Sequence, residues 1–258
     1  MKKNIQNEIC DDTEIDKLEG RNSVIEALKS NRTINKILIA KGDREGSILK
    51  IISLAREKKI IIQETERTNL DKISITHSHQ GVIAYVSPKE YVEVDDIIDI
   101  AIAKGELPFI IILDEVTDAN NLGSILRTAN CVGAHGVIIP KRRAIGLNEV
   151  VSKTSAGAIE YVPVARVTNI SQTIESLKKK NIWVIGADPK GDTKHYESDL
   201  KGSIALVIGS ESNGISKLVM QKCDFLVNVP MKGQISSLNT GVAGAIIMYE
   251  ILRQRQLK

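Results

Sequence analysis

The amino-acid sequence predicts an α/β protein in two parts: a small mixed domain, then a larger, mostly parallel sheet with helices on both faces. Three observations carry that expectation. Strand-length apolar runs alternate with helical spacing along most of the chain. In the second half the runs FIIILDEV, GVIIP, NIWVIGA, SIALVIG and DFLVNVP are separated by helical segments, as parallel strands buried on both faces require. Charge is also unevenly spread: residues 1–88 carry 15 Lys+Arg and 13 Asp+Glu, residues 89–106 carry 2 and 6, and residues 107–258 carry 18 and 13. The acidic stretch 89–106 reads as a linker between domains at 14–88 and 107–258, with 1–13 as a flexible tail.

The elements follow in order. Ser23 and Glu26 have capping-box spacing ahead of VIEALK, and INKILIA is a strand. Ile48, Ile51, Ile52 and Ala55 keep the spacing of an amphipathic helix, KIIIQE is a second strand, and GVIAYV, after the turn His77-Ser78-His79-Gln80, is a third. FIIILDEV runs into Asp118-Ala119-Asn120-Asn121, a turn and helix-cap cluster, after which Leu122, Ile125, Leu126 and Ala129 form a buried stripe. Helices are expected around 148–158 and 169–180. A last helix, from about Asn239 to Gln256, places Ala245, Met248, Tyr249 and Leu252 on one face.

Composition narrows the function classes. With 42% hydrophobic and 26% charged residues the chain is an ordinary globular one. No apolar run approaches the roughly 18 residues of a membrane span, and the amino terminus lacks a signal-peptide core, which predicts a cytoplasmic protein. Cys10, Cys131 and Cys223 lie far apart without CxxC, and the four histidines make no metal spacing, so no metal is expected. Aromatic residues at 3% argue against base-stacking platforms. GxSxG, HExxH and a GxGxxG after a strand are all missing from the sequence.

Ligands in open α/β sheets bind outside the carboxyl ends of strands, which directs attention to three segments. Asn121-Leu122-Gly123-Ser124-Ile125-Leu126-Arg127 spaces Gly123 and Arg127 one helical turn apart, which suits either an anion site or a capped helix with a surface salt bridge. Gly209-Ser210-Glu211-Ser212-Asn213-Gly214 imitates a P-loop, but Ile215 stands where the phosphate-binding lysine must be, and Glu211 suits a cationic partner such as Arg127. The third runs from Val229 through Ser237 and Leu238 to Asn239, and its polar residues could be helix caps. Lys141, Arg142 and Arg143 stand together after a strand, as a polyanion contact or a solvated loop.

The segments NLGSILRTA, LVIGSESNGIS and VPMKGQISSLNTGVA resemble, in order and spacing, the three motifs of the SpoU/TrmH family of SPOUT RNA ribose 2′-O-methyltransferases. LEGRNSVIEAL through HQGVIAYV is similar to that family's L30e-like substrate-binding domain, and SAGAIEYVPVARVTNI and NIWVIGAD add a resemblance to the bacterial subgroup that methylates a guanosine ribose in 23S rRNA. The resemblance implies a deep trefoil knot in the carboxyl-terminal SPOUT domain, a homodimer, and S-adenosylmethionine held by Gly209, Val229 and Leu238. It places catalytic positions at Asn121, Arg127, Glu211, Ser237 and Asn239. RNA is the implied partner, held by Lys141, Arg142 and Arg143 and by the first domain; membranes and DNA are not. Departures from the family pattern fall at Ala119, Ser212, Thr240 and Gly241. Other readings are a transfer RNA guanosine or rRNA adenosine as substrate, or a noncatalytic RNA-binding protein on the same fold.

Overall fold

The computed structural model describes residues 16–42, 45–234 and 237–256. The expected tail 1–13 lies outside them. Strands β1 (Asp16–Glu19), β2 (Ile34–Ala40), β3 (Ile61–Thr65) and β4 (Val82–Val86) form the first sheet in the order β1-β4-β2-β3, with β2 and β3 parallel and the other pairs antiparallel. Helices α1 (Arg21–Lys29) and α2 (Ser47–Glu57) bring Val24, Leu28, Ile48 and Ile51 to one face, where they meet Ile37, Ile39 and Val82. On the other face α3 (Arg67–Ile73) packs Leu70 against Leu38 and Ile83.

The second sheet is parallel throughout. Strands β5 (Phe109–Asp114), β6 (Gly136–Pro140), β7 (Val164–Val167), β8 (Trp183–Ala187), β9 (Thr193–Lys194), β10 (Ile204–Gly209) and β11 (Phe225–Asn228) lie in the order β7-β6-β5-β10-β8-β11-β9. Alternation along β5 divides the core in two. Phe109, Ile111 and Leu113 face α5 (Ala119–Cys131), α6 (Glu149–Thr154) and α9 (Thr240–Gln256), whereas Ile110 and Ile112 face α4 (Val94–Ala103), α7 (Ile170–Lys179) and α8 (Lys217–Lys222). All six residues of β5 are buried, each large apolar side chain contributing roughly 1.5–3 kcal/mol, so both layers are anchored on this strand. β10 is laid between β5 and β8, the chain crosses to β11 beyond β8, and α9 then returns to pack on α5. This is the stretch on which the expected knot would form.

Several expectations need correcting. The acidic stretch 89–106 does connect the two sheets, but it is folded: Val92 bridges to Ala165, and α4 buries Ile97, Ile98 and Ala101 beneath the second sheet. Its acids stay on the outer side, and Glu93 with Asp96 supplies a true capping box. The box expected at Ser23 and Glu26 does not form; α1 starts at Arg21, and both side chains are used between domains, Ser23 Oγ donating to the Ser152 carbonyl and Glu26 accepting from the Tyr161 hydroxyl. The helix expected over 148–158 ends at Thr154 and resumes as a 3-10 turn at Ala158–Glu160. In α9 the core face is Gly244, Ile247, Met248 and Ile251, while Tyr249 is exposed.

The domains meet around a buried carboxylate. Glu160, from the 3-10 turn, accepts from Arg32 Nη1 at 2.8 Å, and Lys89 donates to its backbone carbonyl. Arg32 also bonds Asp16 and the Ser87 carbonyl. On the α6 side, Lys153 Nζ donates to Thr76 Oγ1, in a loop that the buried Glu19 organises through Ser74, Ile75 and Thr76.

Candidate active site

The ends of β5, β10 and β11 converge on one small polar cluster. Asp118 caps α5 by accepting the Asn121 amide at 2.8 Å, which releases the Asn121 side chain from the capping role expected for it. Asn121 Oδ1 instead accepts from Asn239 Nδ2 at 2.9 Å, and the same amide nitrogen donates to Glu211 Oε1. Asn239 Oδ1 in turn accepts the Val242 amide, so Asn239 is the cap of α9 as well as the joint between the first two motif segments. An amide side chain is suited to this, having donors and acceptors to spend at once. Asp114, at the end of β5, accepts the Ser216 amide at 2.7 Å and ties the loop after β10 to the same corner.

The second segment is a tight turn and not a phosphate cradle. Ser210 and Gly214 exchange both backbone hydrogen bonds, 3.0 and 2.9 Å, which folds the turn back on the end of β10. Gly214 takes φ +64°, and a Cβ built on Gly209 would lie 2.0 Å from the Gly214 carbonyl carbon. Gly209→Ala is therefore expected to displace the turn itself, because the clash is with backbone. Glu211 would leave Asn239, and thermal unfolding should show a loss of several degrees, whereas an unchanged melting temperature would mean that the turn is not as tight as described.

The remaining expected positions divide into those brought to this corner and those held apart. Val229, Ser237 and Leu238 line a narrow cleft with Ala187, Asp188 and Ile247, beside the ends of β8 and β11. Gly209 does not line that cleft; its carbonyl accepts from Thr240 Oγ1. Arg127 is exposed on α5 and makes no ion pair among the described residues, so the expected Arg127–Glu211 pair is not formed. Gly123 is not open to a ligand. Its Cβ position lies 2.6 Å from Thr154 Cβ, so the glycine serves the close packing of α5 on α6. Lys141, Arg142 and Arg143 are exposed after β6; Arg143 takes φ +58° and reaches Glu115, the residue following β5, at 3.2 Å. Arg166, which the sequence reading missed, donates to the Lys141 carbonyl and stacks on Tyr91 at 4.8 Å, extending this basic rim. Burial pushes the Cys223 thiol up to about 12, which leaves it protonated at neutral pH.

Residues 108–249 match the family model described as the SpoU rRNA Methylase family. The chain belongs to the SpoU methylase family. Residues 2–92 match a second model, RNA 2'-O ribose methyltransferase substrate binding, which covers the whole of the first domain. The chain is 49% identical over 236 residues to a Bacillus subtilis protein named as a TrmH family tRNA/rRNA methyltransferase, YacO, covering 92% of this chain and 94% of that one. A Staphylococcus saprophyticus protein named in the same way is 46% identical over the same share of this chain. Among solved structures, the SpoU methyltransferase AviRb of Streptomyces viridochromogenes, in complex with AdoMet, superposes with a TM-score of 0.78 at 24% identity over 93% of this chain and 90% of that chain. A TrmH family protein of Porphyromonas gingivalis gives 0.72 at 25% identity over 93% and 90%. The two-part SpoU architecture, a substrate-binding domain followed by the methylase sheet, is thus shared along almost the full length. No described helix is long and apolar enough to cross a membrane.

Proposed function

We propose that this SpoU family member transfers a methyl group from S-adenosylmethionine to the 2′-hydroxyl of a guanosine ribose in 23S rRNA. The observation that carries the reading is the meeting of Asn121, Glu211 and Asn239 at the ends of β5 and β10, next to a largely apolar cleft. The cleft suits an adenosyl ligand: Val227, Val229, Leu238 and Ile247 offer apolar walls to a purine, and Ser237 and strand-end backbone groups offer hydrogen bonds. The cofactor supplies an activated methyl group on a sulfonium, and everything else is positional. Val229 and Leu238 hold it from the loop after β11, while Gly209 keeps the turn after β10 folded at the edge of the cleft.

On the RNA side, Arg127 stabilises the developing alkoxide as a fixed cation while the hydroxyl proton passes to solvent water; a guanidinium does not give up its proton in a protein and is unsuited to act as the base. Asn239 and Ser237 hydrogen-bond the ribose hydroxyl or the cofactor, with Asn121 and Glu211 fixing the Asn239 amide. Lys141, Arg142 and Arg143, extended by Arg166, contact phosphates, and the first domain supplies the rest of the RNA surface. The fold works as a homodimer in the cytoplasm. Val242 and Tyr249, 49% and 52% exposed, leave an apolar strip on the outer side of α9 for the second copy.

The test is transfer of labelled methyl from S-adenosylmethionine to transcribed 23S rRNA, with transfer RNA in parallel because the named relatives carry both substrates in their names. One 2′-O-methylated guanosine in rRNA, mapped by blocked alkaline cleavage, is the expected product. Labelling of transfer RNA alone would move the substrate, and absence of cofactor binding would leave an RNA-binding protein on the same fold.

A further inference from the structure

The sheet order β5-β10-β8-β11 sets the end of β8 between the strands that carry the second and third motif loops. A ligand held by both loops must cross the end of β8, at Ala187 and Asp188. Asp188 is 9% exposed and, among the described residues, is the one ionisable side chain lining the cleft. Its backbone is pinned, the amide donating to the Val227 carbonyl and the carbonyl accepting from Gly191. The two carboxylate oxygens differ in their surroundings. Oδ1 accepts the Lys190 amide at 2.8 Å. Oδ2 has no hydrogen-bond partner among the described residues and faces the second-motif turn, 3.8 Å from where a Cβ on Gly214 would stand. Oδ2 thus opens on the cleft as an acceptor that no described protein donor occupies, available to the donors of a ligand lying there.

We propose that Asp188 accepts hydrogen bonds from the ribose hydroxyls of the adenosyl cofactor and so fixes the nucleoside end of the ligand at the end of β8. This rests on the S-adenosylmethionine reading above. The choice among donors follows from position and charge. The corner of Asn121, Glu211 and Asn239, where the methyl group must be delivered, lies toward β5, whereas Asp188 lies between β10 and β11. An anion beside the sulfonium would also stabilise the reactant cation more than the transition state, in which that charge is being lost, and would slow transfer. A vicinal diol presents two donors to one carboxylate, the arrangement by which acidic residues hold ribose in dinucleotide-binding folds.

Calorimetric titration of the full-length protein separates the possibilities, with S-adenosylhomocysteine, 5′-methylthioadenosine and the 2′,3′-dideoxy form of the latter as probes. Asp188→Asn keeps the oxygen that accepts from Lys190 and replaces the other with a group that can only donate. The variant should bind S-adenosylhomocysteine and methylthioadenosine more weakly by roughly tenfold or more, the usual cost of a lost hydrogen bond to a charged group. The dideoxy compound should bind wild type and variant equally, which also shows that the variant is folded. Unchanged affinity for methylthioadenosine in the variant, or an equal loss for the dideoxy compound, overturns the assignment while leaving the cofactor reading intact. A wild type that binds no S-adenosylhomocysteine overturns both.

Discussion

Arg127→Ala is expected to lower the single-turnover rate of methyl transfer by about 10²–10³-fold, the usual result of removing one preorganised donor at a developing oxyanion. Cofactor affinity should be unchanged. The argument begins with the position of the side chain: Arg127 projects from α5 into solvent, and no carboxylate among the described residues neutralises it. A cation placed without a counter-ion is available to an anion that arrives with the substrate. Helix α5 is itself fixed, since Asp118 caps it, Gly123 seats it on α6, and Leu122, Ile125 and Leu126 bury it against the sheet. The guanidinium therefore starts from a rigid base. Arg127→Lys keeps the charge but loses the planar fork, and should recover only part of the rate. If the lysine variant is as fast as wild type, charge alone suffices and the fork has no role; if the alanine variant is also fast, Arg127 is outside the chemistry.

The same corner shows where sequence was sufficient and where it was not. The longer strands were legible as apolar runs, as in Phe109–Asp114 with the cap Asp118 close behind, whereas β1, β7 and β9, only two to four residues long and each with at least one charged residue, gave no such run and went unread. The α4 helix was hidden because Asp95, Asp96 and Asp99 dominate the charge count, while the spacing of Ile97, Ile98 and Ala101 carries the fold. The register of α9 was misread for a related reason: Gly244 belongs to its core face, approaching Ile208 so closely that a Cβ would lie 2.6 Å from Cδ1, and hydrophobicity patterns give a glycine no weight. Ser23 and Glu26 satisfied a local capping pattern, yet tertiary partners 129 and 135 residues away claimed their side chains. At the site, the three motif segments located Asn121, Glu211 and Asn239 but not their pairing. Glu211 turned to an amide rather than to the expected arginine because α9 begins beside it, an effect of topology that no spacing within one segment records. Asp188 lies outside the three motif segments, and only the strand order exposes its position between them.

Glu160→Ala should be among the most destabilising single changes in the molecule, by about 3 kcal/mol, the lower end of what breaking a buried ion pair costs. The Glu160 and Arg32 side chains are 1% and 6% exposed and bond at 2.8 Å, so water screens the intact pair little. The lower end applies because Arg32 keeps Asp16 and the Ser87 carbonyl. Lys89 is affected as well: burial pulls its ammonium below the ordinary lysine range, and Glu160 is the main group opposing that shift, so the variant should leave this lysine less readily charged. Because Glu160 belongs to the methylase domain, Arg32 to the first domain and Lys89 to the connection between them, the loss falls on docking rather than on either core. Urea unfolding of the variant should therefore separate into two transitions where wild type shows one, and residues 87–93 should become sensitive to protease. Glu160→Gln, which retains an oxygen for Arg32, should lie between the two. A variant that unfolds within 1 kcal/mol of wild type in a single transition would show that apolar contacts, and not this carboxylate, hold the domains together. If docking does depend on Glu160, the uncoupled first domain no longer presents RNA to the methylase corner at a fixed distance. RNA methylation by Glu160→Ala should then fail through a raised KM, with S-adenosylhomocysteine binding unchanged.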